Sequence, residues 1–290
     1  MAAILDTFPA FLAYWTEAAC KPVDAQMEAW STDYLSPWPE LLAKQIQDYS
    51  DQHLDWHAIG RAKVFPHLTK RLPTMKDAHQ NLLESLEPVS SQAQQRLGFE
   101  SDVIFVIHVG IGCGAGWVTT FTGRPAILFG LENIAECDWS DPEAIKGLIA
   151  HELGHLFHYA WREQAGKSIG SGPWWQLYEE GFAQACESLI LNTELVHQAN
   201  PGKDKDWLEW CLAHKAWLAS EFLKTVDSGE SITRFFGSWF DICGKSETGY
   251  FLGQAVINEL EKETGLKEIA LLENIAEVAR PILEKMTGRK

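Results

Sequence analysis

Along the first hundred residues apolar side chains recur at steps of three and four, as at Leu41, Leu42, Ile46 and Tyr49, with Pro22, Pro37, Pro39, Pro66 and Pro73 set among them. That spacing lines up on one face of a helix, and the prolines are expected to break the region into separate pieces. The opening MAAILDTFPAFLAYW is apolar, yet it holds Asp6 and Pro9 and no basic residue before Lys21. A secretory leader needs a positive start and a clean apolar run, so this stretch reads as an amphipathic helix. Residues 1 to about 98 are therefore predicted to be a helical N-terminal region.

Near residue 100 the period changes. Residues 102–109, DVIFVIHV, form a β-branched run that ends at the glycine-rich segment Gly110 to Gly116, the pattern of a short strand. Two more strands are expected over Gly116 to Phe121 and Ala126 to Phe129, separated by Thr122-Gly123-Arg124-Pro125, which has turn chemistry. From Asp141 onward the helical period returns. Ser140-Asp141-Pro142-Glu143 supplies a capping residue, a proline for the first turn and an early acid. The expected class is α+β and mostly helical, with residues 99–290 forming a second region whose C-terminal part is helical.

Composition narrows the function. A chain of 290 residues with 46% hydrophobic and 22% charged residues can bury a sizeable core and belongs with globular proteins. A formal net charge of −16 argues against nucleic acid as a partner, because phosphates call for clustered Lys and Arg. No window approaches eighteen uninterrupted apolar residues, so no membrane span is expected. Cys20, Cys113, Cys137, Cys186, Cys211 and Cys243 are scattered and form no C-x-x-C pair. Reduced thiols and a cytoplasmic location are the expectation. Among the thirteen tryptophans, Trp38, Trp174 and Trp175 stand in a pair or near proline and suit a core or a cleft wall.

The helix that opens at Asp141 carries the candidate chemistry: Ile145-Lys-Gly-Leu-Ile-Ala-His151-Glu152-Leu-Gly-His155-Leu-Phe-His158. Residues four apart lie one turn apart on one helix face, so His151 and His155 can aim both imidazoles at a single ion. Zinc accepts imidazole nitrogen and, with two ligands from one helix, has room for a third ligand and a water. Glu152 then sits beside that water, where it can take its proton and hand it to a leaving amine. The three fixed letters arise by chance in a chain this long on the order of a few per cent of the time. From Gly147 to Ala160 everything except His151, Glu152, His155 and His158 is uncharged and mostly apolar, which suits a buried active-site helix.

At this point the chain resembles the zincin metallopeptidases. The metzincin branch would continue with Gly and His at positions 158 and 161, where this chain has His158 and Trp161, so that branch does not apply. The gluzincin branch draws a glutamate from a later helix. Trp174-Trp-Gln-Leu-Tyr-Glu179-Glu180-Gly181-Phe182-Ala183 is similar to that glutamate helix, in which Glu stands directly before a Gly-x-Ala step. By this match Glu180 is the third ligand. Glu179 is the alternative, since adjacent acids point about 100° apart on a helix and only one can face the ion. Some gluzincins place an acid four residues after the ligand glutamate; here that residue is Gln184. Within the branch the chain is most similar to poorly characterised zinc peptidases.

The resemblance implies a zincin-like core, with a small mixed sheet over the active-site helix, and a zinc-dependent peptidase acting on a peptide or protein substrate. Glu247-Thr-Gly-Tyr250-Phe-Leu-Gly253 opens a further helix, and in several gluzincins a tyrosine at such a place donates its hydroxyl to the oxyanion. Tyr250 is the candidate for that role, beside the bland alternative of a core tyrosine. Gly130-Leu-Glu132-Asn133 has a passing likeness to the segment with which gluzincin aminopeptidases hold a substrate amine, although an acid such as Glu132 is more often simply a surface residue. His158 is expected to pack or to support the ligands. His108, His197 and His214 lack metal spacing, and Cys113 with its glycines fits a turn or bulge better than a nucleophile loop. A non-catalytic zinc-binding regulatory or interaction protein that keeps the zincin fold stays open beside the peptidase.

Overall fold

The computed structural model describes residues 3–98, 102–193, 206–237 and 239–288. Two compact units emerge, Met1–Pro88 with Glu100–Ile149 and Val89–Phe99 with Ala150–Lys290. The division falls inside two long helices, Phe65–Leu97 and Pro142–Gln164, and also after residue 99, close to the change of period near residue 98.

The first unit is built on a mixed sheet of four strands, β1 (Ala3–Asp6), β2 (Ile104–His108), β3 (Gly116–Phe121) and β4 (Arg124–Gly130), in the order β1-β2-β4-β3. The three strands β1, β2 and β4 run parallel, and β3 pairs antiparallel with β4 at the edge. With helices making up most of the rest, the fold is α+β and mostly helical. Strand β2 reads IFVIH and is buried along its whole length, as a parallel strand covered on both faces must be. The turn between β3 and β4 is shorter than the sequence suggests. Only Thr122 and Gly123 form it, both with positive φ (49° and 74°), the twist a two-residue hairpin needs. Arg124 and Pro125 already belong to β4.

Two expectations for the N-terminal region are corrected. The opening residues do not form one amphipathic helix. Ala3–Asp6 is a strand paired in register with Ile104–Ile107, and the helix begins only at Phe8, where the Asp6 carboxylate accepts the Phe8 N–H at 3.0 Å. The prolines break the region only in part: Pro22, Pro37, Pro39 and Pro66 stand before or at the start of helices, but helix Phe65–Leu97 runs through Pro73 and through Pro88 as well. Each removes one backbone donor. The helix persists because Leu68, Met75, Ala78, Leu82 and Leu86 form a fully buried stripe whose packing outweighs those missing bonds.

The second unit holds the later turns of Pro142–Gln164 (the histidine helix), then Pro173–Leu191 (the glutamate helix), Lys215–Ser228, Thr248–Leu260 (the tyrosine helix) and Ile275–Met286. The histidine helix starts as its sequence predicts, with Asp141 Oδ1 accepting the N–H groups of Glu143 and Ala144 at 3.0 and 3.1 Å. At its other end Arg162 is buried. The guanidinium lies over the Trp175 ring at 4.7 Å and donates to the carbonyls of Ser168, Ala270 and Leu272 at 2.8–2.9 Å. Trp174 packs edge-on against Phe222, and Trp175 is core. All six cysteines are free, and no described helix is long and apolar enough to cross a membrane.

Candidate metal centre

His151 and His155 project from successive turns of the histidine helix, and Glu180 meets them from the glutamate helix. The two Nε2 atoms are 3.1 Å apart, and Glu180 Oε2 lies 3.2 Å from the first and 3.3 Å from the second. Ligands at 2.0–2.1 Å from a tetrahedral ion stand about 3.3 Å from one another, so these spacings fit a shared cation. The donor set, two imidazole nitrogens and one carboxylate oxygen, suits a borderline divalent metal. Among the described residues this group could hold a metal ion.

Close packing makes the convergence possible. Gly154 faces the glutamate helix, and a Cβ there would come within 2.8 Å of the Cys186 side chain and 3.0 Å of the Ala183 backbone. The small residues at 154 and 183 therefore let the two helices approach until Glu180 reaches both imidazoles. The adjacent acid goes elsewhere: the Glu179 carboxylate accepts hydrogen bonds from the Trp175 indole and, at 3.2 Å, from the Tyr159 hydroxyl. Of the two neighbouring glutamates, it is Glu180 that the structure brings to the histidines.

Electrostatics reinforces the grouping. Burial would raise the Glu180 carboxyl, but the charges and hydrogen bonds of His155 and His151 outweigh it and hold the group well below the usual carboxylate range. Burial would likewise lower His151, and the hydrogen bonds of Glu180 and Glu187 raise it instead, to about 10. His155 is raised against burial by Glu180 in the same way. Glu152 is 5% exposed; burial pushes its carboxyl up, opposed by His155 and His151. Among the described residues no lysine or arginine pairs with it, leaving a desolvated carboxyl beside the two imidazoles.

Tyr250, in the first turn of the tyrosine helix, sets its ring 5.8 Å from that of His151 and 5.7 Å from that of Phe236. His158 is not part of the ligand group. It is packed against Trp175, Tyr178 and Phe182 with ring centroids 4.6–5.4 Å away, and burial lowers its pKa to about 3. One contributor has no counterpart in the sequence reading: Glu187, buried and 3.8 Å from His151 Nδ1. It lies seven residues after Glu180, two helical turns on, which is the signal that could have found it.

The remaining candidates are accounted for otherwise. Glu132 is 1% exposed, and its two oxygens accept the N–H groups of Gly110 and Gly112 at 2.7 and 3.0 Å, so it braces the glycine-rich loop. A carboxylate so enclosed is no surface acid. Cys113 in that loop has its thiol raised by burial and points at the Gln45 carbonyl. His108 is buried in β2 and held neutral by desolvation, and His214 stacks on Trp210 at the surface. His197 lies outside the described residues. No protein-family model, curated protein or solved structure matches this chain.

Proposed function

We propose that the chain is a zinc-dependent peptidase of the gluzincin kind, with a zincin-like core, that hydrolyses peptide bonds in peptide or protein substrates. The observation that supports it most directly is the convergence of His151, His155 and Glu180 on one point, with Glu152 buried beside the first two. His151, His155 and Glu180 would hold the ion. When bound, zinc supplies Lewis-acid polarisation of a carbonyl and a water acidified toward neutral pH. Glu152 takes the proton from the attacking water at its carboxylate and passes it to the leaving amine; its raised pKa suits both steps. The Tyr250 hydroxyl donates to the oxyanion as charge develops, an interaction present only in the transition state.

Elemental analysis of the purified protein tests the site. About one zinc per chain is expected, largely lost in Glu180→Ala and kept in Glu179→Ala. Glu152→Gln should keep the metal while lowering turnover of a peptide library on the order of a hundredfold or more. Zinc retained in Glu180→Ala would sink the ligand assignment, and full hydrolysis by Glu152→Gln would remove the mechanism.

A further inference from the structure

The Glu179 carboxylate is used at one oxygen only. The Trp175 indole donates to Oε2 at 2.5 Å, and the Tyr159 hydroxyl donates to the same atom at 3.2 Å. Oε1 has no partner among the described residues and is not shut off from solvent, and no described lysine or arginine pairs with the group. A glutamine would satisfy both donors, so the charge and the second oxygen answer to nothing among those residues. Holding a carboxylate against an indole with no cation beside it is costly, and a bound cation would offset that cost. The group also stands at the edge of the metal centre. It directly precedes Glu180, and Tyr159 lies one turn past His155 with the two rings 6.1 Å apart. Glu152, 5% exposed, likewise has no hydrogen-bond partner among the described residues. Carboxylate oxygens around the imidazoles are thus left to a ligand. A divalent ion between neutral imidazoles is balanced by Glu152 and Glu180, so Glu179 adds a negative charge that nothing there offsets.

We propose that Glu179 is the substrate-recognition acid of this site: its Oε1 receives a primary ammonium group of the peptide, from the N-terminus or from a lysine side chain. This rests on the metal-dependent hydrolysis proposed above and names the substrates it favours, peptides with a free amine close to the bond cleaved. Trp175 and Tyr159 pin Oε2, which fixes the direction in which Oε1 faces. An ammonium arriving there gains a charge-assisted hydrogen bond, stronger than one between neutral groups. The acidic chain as a whole, with a net charge of −16, draws such cations toward it.

Four hydroxamates, whose end group chelates zinc, serve as probes: leucine hydroxamate and its N-acetyl form, then Nα-acetyl-lysine hydroxamate and its Nε-acetyl form. Within each pair only one ammonium differs. Calorimetry measures their binding to the zinc-loaded protein and to Glu179→Gln, which keeps an acceptor for Trp175 and Tyr159. Elemental analysis gives the zinc content of both. In the unmodified protein the charged member of at least one pair is expected to bind about tenfold or more tightly. A difference in the leucine pair marks the N-terminus as the source, and one in the lysine pair marks the side chain. In Glu179→Gln that preference is expected to shrink to within about threefold. No preference in zinc-loaded protein overturns the proposal while leaving the metal site standing, and a preference that survives Glu179→Gln overturns it too. Should that variant not fold, Trp175→Phe/Glu179→Leu, which removes donor and acceptor together, decides on the same criterion. Unmodified protein that takes up no zinc would remove the metal site and this subsite with it.

Discussion

Gly181 and Gly253 stand against each other where the glutamate and tyrosine helices cross. A Cβ on Gly181 would lie 2.2 Å from the Gly253 carbonyl carbon, and one on Gly253 would lie 2.3 Å from the Leu177 carbonyl oxygen. Backbone meets backbone there, with no flexible side chain to yield. Glu180 directly precedes the first glycine, and Tyr250 lies one turn before the second. The crossing therefore sets the Glu180 carboxylate and a phenol around His151 through two rigid helices. It also gives a physical reason for glycine after Glu180.

Gly253→Ala and Gly181→Ala should each force the two helices apart. Overpacking of this kind costs about 1–3 kcal/mol, read as a lower melting temperature. Zinc affinity should fall with it, more in Gly181→Ala, whose strain falls next to Glu180. Melting and zinc binding both unchanged in Gly253→Ala would show that the crossing is loose.

Metal binding should depend on pH with a definite sign. Burial would lower His151, but Glu180 and Glu187 raise it from 6.5 to about 10, so the metal-free protein holds a proton there at neutral pH. That proton must leave for Nε2 to become a ligand, so zinc affinity should rise about tenfold per pH unit for each proton released. The stability of the metal-free protein moves the opposite way. Because the folded pKa is raised, the contribution of His151 is complete below its unfolded value near 6.5 and is lost as pH climbs through about 10. Chelator competition at several pH values checks the first point. A flat profile between about pH 6 and pH 8 would mean that no proton is displaced.

Glu132→Ala should act on stability and leave zinc content untouched. It strips the acceptor from the Gly110 and Gly112 N–H groups inside the first unit. One buried and one half-buried donor without a partner cost on the order of 2–4 kcal/mol together. Chemical denaturation would read this as a lower midpoint with metal content preserved; a variant as stable as the unmodified chain would assign Glu132 some other duty.

Much of the candidate site was legible because its signals are local. The Asp141 cap, the four-residue spacing of His151 and His155, and the Glu180-Gly181 step each sit within one helical turn or two. The hairpin between β3 and β4 was equally readable from Thr122-Gly123-Arg124-Pro125, although Arg124 and Pro125 belong to β4. What escaped depends on distant partners. Ala3–Asp6 is a strand only because residues 104–107 lie a hundred positions away to pair with it. Pro73 and Pro88 sit inside a helix because a long buried stripe overrides their local preference. Glu132 reads as a surface acid until two backbone N–H groups from the preceding loop close over it. Glu187 is one more acid on a helix until His151 is seen beside it.

Arg162 closes the last turn of the helix whose earlier turns carry His151 and His155, and two of the carbonyls it holds belong to Ala270 and Leu272. Beside it, Lys167 grips the carbonyl of Leu271. A chain ending before those residues would leave a guanidinium sealed from water with its acceptors gone. The stretch near residue 270 therefore works as a clasp, fastened more than a hundred positions along the chain from His151 and His155, whose helix it steadies. Loss of that far end would be felt as slack in the helix that carries His151 and His155.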